Sequence, residues 1–259
     1  MILLCLGDVV ADTGVKAVEK ALPALKRQYR PDAVIINGEN SANGNGISRA
    51  SAEALFAVGA DVLTGGNHSF QRKGAEEHHE ETEFLLRPAN WSGDPFGRGE
   101  CRLDLGSYDL RVISLQGQLF MNKCENPFTV LEKLLEGGTP RDLTVVDFHG
   151  EATAEKQALA RYFDGRVALV FGTHTHVQTN DATVLPQGTG YLSDLGMCGA
   201  EHSILGKGLE PCIHNFVDPE NRMKITEADG PGMVHGIVAE LDEKTKRCKH
   251  LELISVKGL

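Results

Sequence analysis

The sequence holds no run of about 18 apolar residues, so no membrane-spanning helix is expected. Its apolar start, Met1-Ile2-Leu3-Leu4-Cys5-Leu6, lacks a basic leader and is interrupted early by Gly7-Asp8. That argues against a secretory signal and for a first strand. The six cysteines include no C-x-x-C spacing, which speaks against a disulfide framework or a zinc ribbon and for free thiols in the cytoplasm. Positive charge is short: 26 Lys and Arg face 36 Asp and Glu, a formal net charge of −10. Stable binding of nucleic acid or an anionic membrane by the whole surface is therefore not expected. Aromatics are sparse at 6%; Trp91 and Phe120 could stack a base, but a lone aromatic more often belongs to a core. No internal repeat or low-complexity linker divides the 259 residues, so a single domain over 1–259 is expected.

What is present is an alternation of apolar runs and amphipathic stretches, the pattern of an α/β fold. Strands are predicted at 2–6, 32–36, 60–63, 102–105, 110–115, 143–148, 167–171 and 190–192, with a closing hairpin from Val234–Leu241 and Cys248–Val256. Helical spacing covers 15–29, where Pro23 predicts a kink or an early stop. A helix from Ser48 to Gly59 has Ser48 as its N-cap, and 152–163 is helical in composition. The stretch Asn43-Gly44-Asn45-Gly46 reads as a mobile loop. His78 and His79, adjacent in a charged helix, lie about 100° apart and read as part of a solvated face.

The chemistry gathers at strand ends. Val167–Phe171 stops at Gly172, and His174 and His176 follow one residue apart. If the backbone stays extended there, both imidazoles point to one side. The other apolar runs end in Asp8, in Glu39 with Asn40, in Asn67 with His68, and in His149. One such residue is more often a cap or a turn than a ligand. Several at equivalent positions suggest a site, because parallel strands bring their carboxyl ends to one edge. Histidines with carboxylates and amide oxygens suit iron, manganese or zinc. The candidate ligands are too many for one tetrahedral ion, and a pair of ions bridged by a carboxylate uses them naturally.

These residues carry a resemblance. Gly7-Asp8, Gly66-Asn67-His68, His149 and Gly172-Thr173-His174-Thr175-His176 resemble the motif set of the calcineurin-like metallophosphoesterase superfamily. Asn37-Gly38-Glu39-Asn40, Arg87-Pro88-Ala89-Asn90, the run Asp147 to Thr153 and the run His174 to Thr179 are similar to its YmdB-like subfamily. The similarity spans nearly the whole chain. It implies an α/β sandwich of central β-sheets flanked by helices, and two divalent or trivalent metal ions, iron or manganese first and zinc next. One ion would be held by Asp8, Glu39, Asn40 and His176, the other by Glu39, Asn67, His149 and His174, with His68 as the catalytic proton donor. The sequence departs from the wider superfamily in three places. Val10 stands where a histidine is usual, Glu39 where a bridging aspartate is usual, and Ser69 where an acid often follows the histidine. Asn40 would take the place of the ligand lost at residue 10.

The resemblance further implies a phosphodiesterase acting on cyclic nucleotides, 2′,3′-cyclic forms first and 3′,5′-cAMP next. Two cations would lower the pKa of a shared water, and hydroxide would attack phosphorus in line with the leaving oxygen. A phosphomonoesterase or protein phosphatase on the same ions is the enzymatic alternative. A metal-containing regulatory protein, with loop 43–46 as a partner surface, is the alternative from another class. A homo-oligomer is compatible with either.

Overall fold

Alternation along the strands assigns the layers. In β1 (Ile2–Leu6), Leu4 and Leu6 join one apolar cluster while Leu3 and Cys5 join another, as side chains two apart share a face. The computed structural model describes residues 1–259. Next come β2 (Asp8–Val9), α1 (Ala11–Tyr29), β3 (Ala33–Asn37), α2 (Arg49–Val58), β4 (Val62–Thr64) and α3 (Ala75–Glu81). The hairpin strands β5 (Glu100–Asp104) and β6 (Asp109–Gln116) follow, then α4 (Pro127–Glu136), β7 (Asp142–His149), α5 (Thr153–Tyr162) and β8 (Leu169–Thr173). The chain ends with β9 (Thr183–Val184), β10 (Gly190–Leu192), β11 (Met197–Ala200), α6 (Leu209–Val217), β12 (Gly232–Asp242) and β13 (Arg247–Val256).

The strands form two mixed sheets. One has seven strands in the order β2-β11-β12-β1-β3-β4, with β13 also paired to β12. The other has six in the order β5-β6-β7-β8-β10-β9. In the first, β1, β3 and β4 are parallel; in the second, β6, β7, β8 and β10 are parallel. The sheets pack face to face through Leu3, Cys5 and Ile35 on one side and Val112, Val145 and Leu169 on the other. The outer face of the first sheet is covered by α1 and α2, and that of the second by α4 and α5. This is the expected sandwich, and it explains the near-continuous apolar runs: strands covered on both faces have no solvent side.

Three local expectations are corrected. Helix α1 runs through Pro23 and begins at Ala11, not residue 15. Burying Val15, Val18, Leu22 and Leu25 on the sheet, at about 1.5–3 kcal/mol each, outweighs the roughly 3 kcal/mol that an interior proline costs. His78 and His79 are both buried rather than solvated, because α3 is wedged between the chain after β4 and the loop before β5. His79 packs on Phe70 at 5.0 Å between ring centroids. The 43–46 loop is held in place, with the Arg72 guanidinium donating to the carbonyls of Ala42 and Asn45. Helix α4 was not predicted, although Asn126 caps it and Pro127 opens it, both ordinary start signals.

Candidate metal centre

The carboxyl ends of parallel strands from both sheets meet at one end of the sandwich. Asp8 lies in β2, Glu39 and Asn40 follow β3, and Asn67 and His68 follow β4. His149 is the last residue of β7, and His174 and His176 follow β8. All eight candidate residues therefore stand together, although the edge is made of two sheets rather than one. Asp8, Glu39, Asn40 and His149 are buried.

His149 is the hub. Its Nε2 lies 3.0 Å from Asn67 Oδ1, 3.1 Å from Glu39 Oε1 and 3.1 Å from His174 Nδ1. One N–H cannot serve two oxygens and a second ring nitrogen with good geometry. A cation among them could. Glu39, His149 and His174 form a group whose ligand atoms lie within 4.8 Å of one another. On the other side of Glu39, His176 Nε2 lies 3.2 Å from Asn40 Nδ2 and 3.8 Å from Asp8 Oδ1. Asp8 Oδ1 is buried without a hydrogen-bond partner, while Asp8 Oδ2 accepts the backbone N–H of His174 at 3.0 Å. A buried carboxylate oxygen facing imidazoles with no donor of its own suits a cation site.

The two histidines after β8 do not act as a pair. His174 has φ of 104° and His176 of 65°, so the backbone is not extended: the first ring meets His149 and the second meets Asn40 and Asp8. A buried ion pair holds this bend: Lys156 Nζ donates to Thr173 O at 2.9 Å and to Asp194 Oδ2 at 2.8 Å, and that oxygen also accepts Thr175 N. Outer partners orient the rings. His149 Nδ1 meets Thr173 Oγ1, His174 Nε2 lies 3.1 Å from Glu151 Oε2, and His176 Nδ1 lies 3.1 Å from Leu205 O. The sequence reading assigned no role to Asp147, Thr173, Glu151, Lys156, Asp194 or Leu205. Asp147, Glu151 and Thr173 carried a signal, Asp147 as an acid inside an apolar run and all three as parts of the motifs that bear the family resemblance.

Electrostatics follow from this crowding. Burial penalises a charged Glu39, but His149 and His68 outweigh it and hold the carboxyl well below its usual range. Burial likewise opposes a charge on His149, yet Glu39 and Asp8 push its pKa up to about 9. Desolvation, with His149 adding to it, pushes His174 down to about 3. Asp8 is raised, chiefly by burial. Gly66 must lack a side chain: a Cβ there would lie 2.3 Å from Glu39 Oε2 and 2.4 Å from His149 Nε2.

His68 stands at the edge of the cluster, its backbone N–H donating to Glu39 Oε2 at 2.9 Å and its Nδ1 lying 3.0 Å from Asn40 Oδ1. Beside it opens a cavity of about 440 Å³ whose lining includes Glu39, Asn40, His68, His174 and His176 together with Ile204, Leu205, Lys207 and Cys212.

The sequence model of the family described as YmdB-like protein matches residues 4–254. The chain belongs to the YmdB-like family. Among its relatives, a 2′,3′-cyclic-nucleotide 2′-phosphodiesterase of Bacillus subtilis is 38% identical over 257 residues, covering 99% of this chain and 97% of the relative. A solved structure described as a novel phosphatase of Mycoplasma pneumoniae superposes with a TM-score of 0.93 at 33% identity, covering 99% of this chain and 93% of the other. A protein of Thermus thermophilus superposes with a TM-score of 0.92 at 37% identity over all of both chains. These likenesses place the family in the α/β metallophosphoesterase fold, and they run across the segment 199–232 as well. No helix of the chain is long and apolar enough to cross a membrane.

Proposed function

We propose that the protein is a dinuclear metal-dependent phosphodiesterase hydrolysing cyclic nucleotides, with 2′,3′-cyclic forms as preferred substrates. The observation that carries the reading is the convergence on His149 Nε2 of Asn67, Glu39 and His174 at 3.0–3.1 Å, beside the unpartnered Asp8 oxygen. The Bacillus subtilis relative supports the substrate. One ion would be held by Asp8, Glu39, Asn40 and His176, the other by Glu39, Asn67, His149 and His174. The donor set lacks thiolate and favours iron or manganese, with zinc next. When bound, two such ions neutralise phosphate oxygens and lower the pKa of a water that can attack phosphorus.

The chain's own groups do the rest. Glu39, shared between the two ligand sets, fixes their separation. Thr173, Glu151 and the Leu205 carbonyl hold the three rings so that their inner nitrogens face the ligand space. His68, in the lining of the open cavity, donates a proton to the departing ribose oxygen. The acidic surface leaves anion binding to this local site.

The test is to purify the protein without chelator, count its metal ions and assay 2′,3′-cAMP beside 3′-AMP. Two ions per chain with preferential cleavage of the cyclic diester support the reading. Two ions with cleavage of the monoester alone would favour the phosphomonoesterase, a reading supported by the Mycoplasma pneumoniae structure.

A further inference from the structure

Part of the cavity lining is built on a turn of unusual composition, Ile204 to Lys207. Ile204 and Lys207 exchange both backbone hydrogen bonds, at 2.8 and 3.0 Å, around a two-residue loop. Both central residues are left-handed, Leu205 with φ of 55° and Gly206 with φ of 88°. Tight hairpins of this kind take Asn, Asp or Gly at the first central position, because a Cβ is strained at positive φ. Leucine is a poor choice there on backbone grounds. Burial does not explain it either, since Leu205 remains 46% exposed. Strained non-glycine residues concentrate where their side chain has a task.

The task is set by what Leu205 faces. Leu205 lines the 440 Å³ cavity with Ile204 and Cys212, apolar residues that share it with the carboxylate, amide and imidazoles of Glu39, Asn40, His68, His174 and His176. A pocket of that size with apolar residues and a few convergent polar groups fits a ligand with an apolar body and a polar end. A nucleotide is such a ligand, its phosphate at the polar groups and its nucleoside against the apolar residues. Lys207 ends the turn, its ammonium held by both Glu227 oxygens at 2.8 Å. The turn is also tied to the ligand cluster, because the Leu205 carbonyl lies 3.1 Å from His176 Nδ1. That link uses the main chain and survives a change of side chain.

The geometry points to Leu205 as a specificity residue whose side chain packs against the nucleoside of the substrate, an inference that rests on reading the site as a nucleotide phosphodiesterase. The experiment uses metal-loaded enzyme and two probes, adenosine 3′-monophosphate and inorganic phosphate, titrated calorimetrically. Leu205→Gly and Leu205→Asn keep a residue suited to the turn, so the unfolding midpoint and metal content hold or rise. Both variants bind adenosine 3′-monophosphate about 10-fold more weakly and bind phosphate as the wild type does. Their KM for 2′,3′-cAMP rises by a similar factor, with kcat within about two-fold.

Unchanged affinity for the nucleotide in both variants would overturn the assignment. So would a parallel loss of phosphate affinity or metal, which would mean that Leu205 acts through His176. A wild-type enzyme that binds the nucleotide in a Leu205-dependent way yet leaves cyclic diesters intact would sink the proposed reaction and not the nucleoside contact.

Discussion

His149 and Asp147 are joined by a single hydroxyl: Thr173 Oγ1 lies 2.9 Å from His149 Nδ1 and donates to Asp147 Oδ1 at 2.7 Å. The two residues sit two apart on β7, so their side chains leave the same face of the strand, and Thr173 on β8 lies directly opposite His149 in the register. Asn37 Nδ2 and Thr64 Oγ1 also donate to Asp147. Burial pushes Asp147 up to about 6 against those donors. The relay places a proton on His149 Nδ1 and leaves Nε2 to face the ligand cluster.

Replacing Thr173 by valine removes the relay without changing the volume much. Metal affinity is expected to fall about 10–100-fold, as loss of an outer partner typically does. Stability should fall by about 1–3 kcal/mol, because Asp147 and His149 each lose a buried partner. Chelator competition and urea unfolding measure the two effects. Unchanged metal affinity would remove Thr173 from the support of the site.

Gly66→Ala tests the shape of the cluster. The added methyl group would press on Glu39 Oε2 and His149 Nε2, atoms that cannot retreat into a packed interior. The variant should fold, as judged by circular dichroism, and retain fewer than two ions by elemental analysis. Full occupancy would show that the cluster has room the geometry denies.

His68→Ala separates chemistry from binding. His68 meets Glu39 through its backbone N–H, which the substitution keeps. Metal content should hold while kcat on 2′,3′-cAMP drops by roughly 10²–10⁴-fold, the usual worth of a general acid. A variant as fast as the wild type would take His68 out of the mechanism.

His79 gives the protein a pH-dependent stability away from the ligands. Burial pushes its pKa down to about 4, and its Nε2 has no partner. The unfolded ring takes up a proton below about 6.5, whereas the folded ring resists until about 4. The contribution is therefore fully present above about 6.5 and is lost as pH falls towards 4, by an amount on the order of 3 kcal/mol. His79→Phe, which keeps a ring against Phe70, should flatten that part of the stability curve in urea titrations. An identical slope in both proteins would contradict the assignment.

The placement of the candidate residues at one edge was legible in the sequence because each follows an apolar run, and runs of this kind are buried strands whose carboxyl ends can be located by counting. The resemblance of the motifs supplied the pairing of residues that periodicity alone could not. The solvated face assigned to His78 and His79 failed for a related reason: charge along a short helix says nothing about what packs on it.

By itself the chain determined which residues lie at strand ends and which faces of the strands are apolar. These are local matters, set by period and side-chain chemistry. Only the folded molecule decided that two sheets rather than one supply the edge, that the His174 ring meets His149 while the His176 ring meets Asn40 and Asp8, and that Thr173, Lys156 and Leu205 hold them there. Such contacts join residues far apart along the chain, and their energies arise from packing and burial that exist only once both sheets have closed on one another.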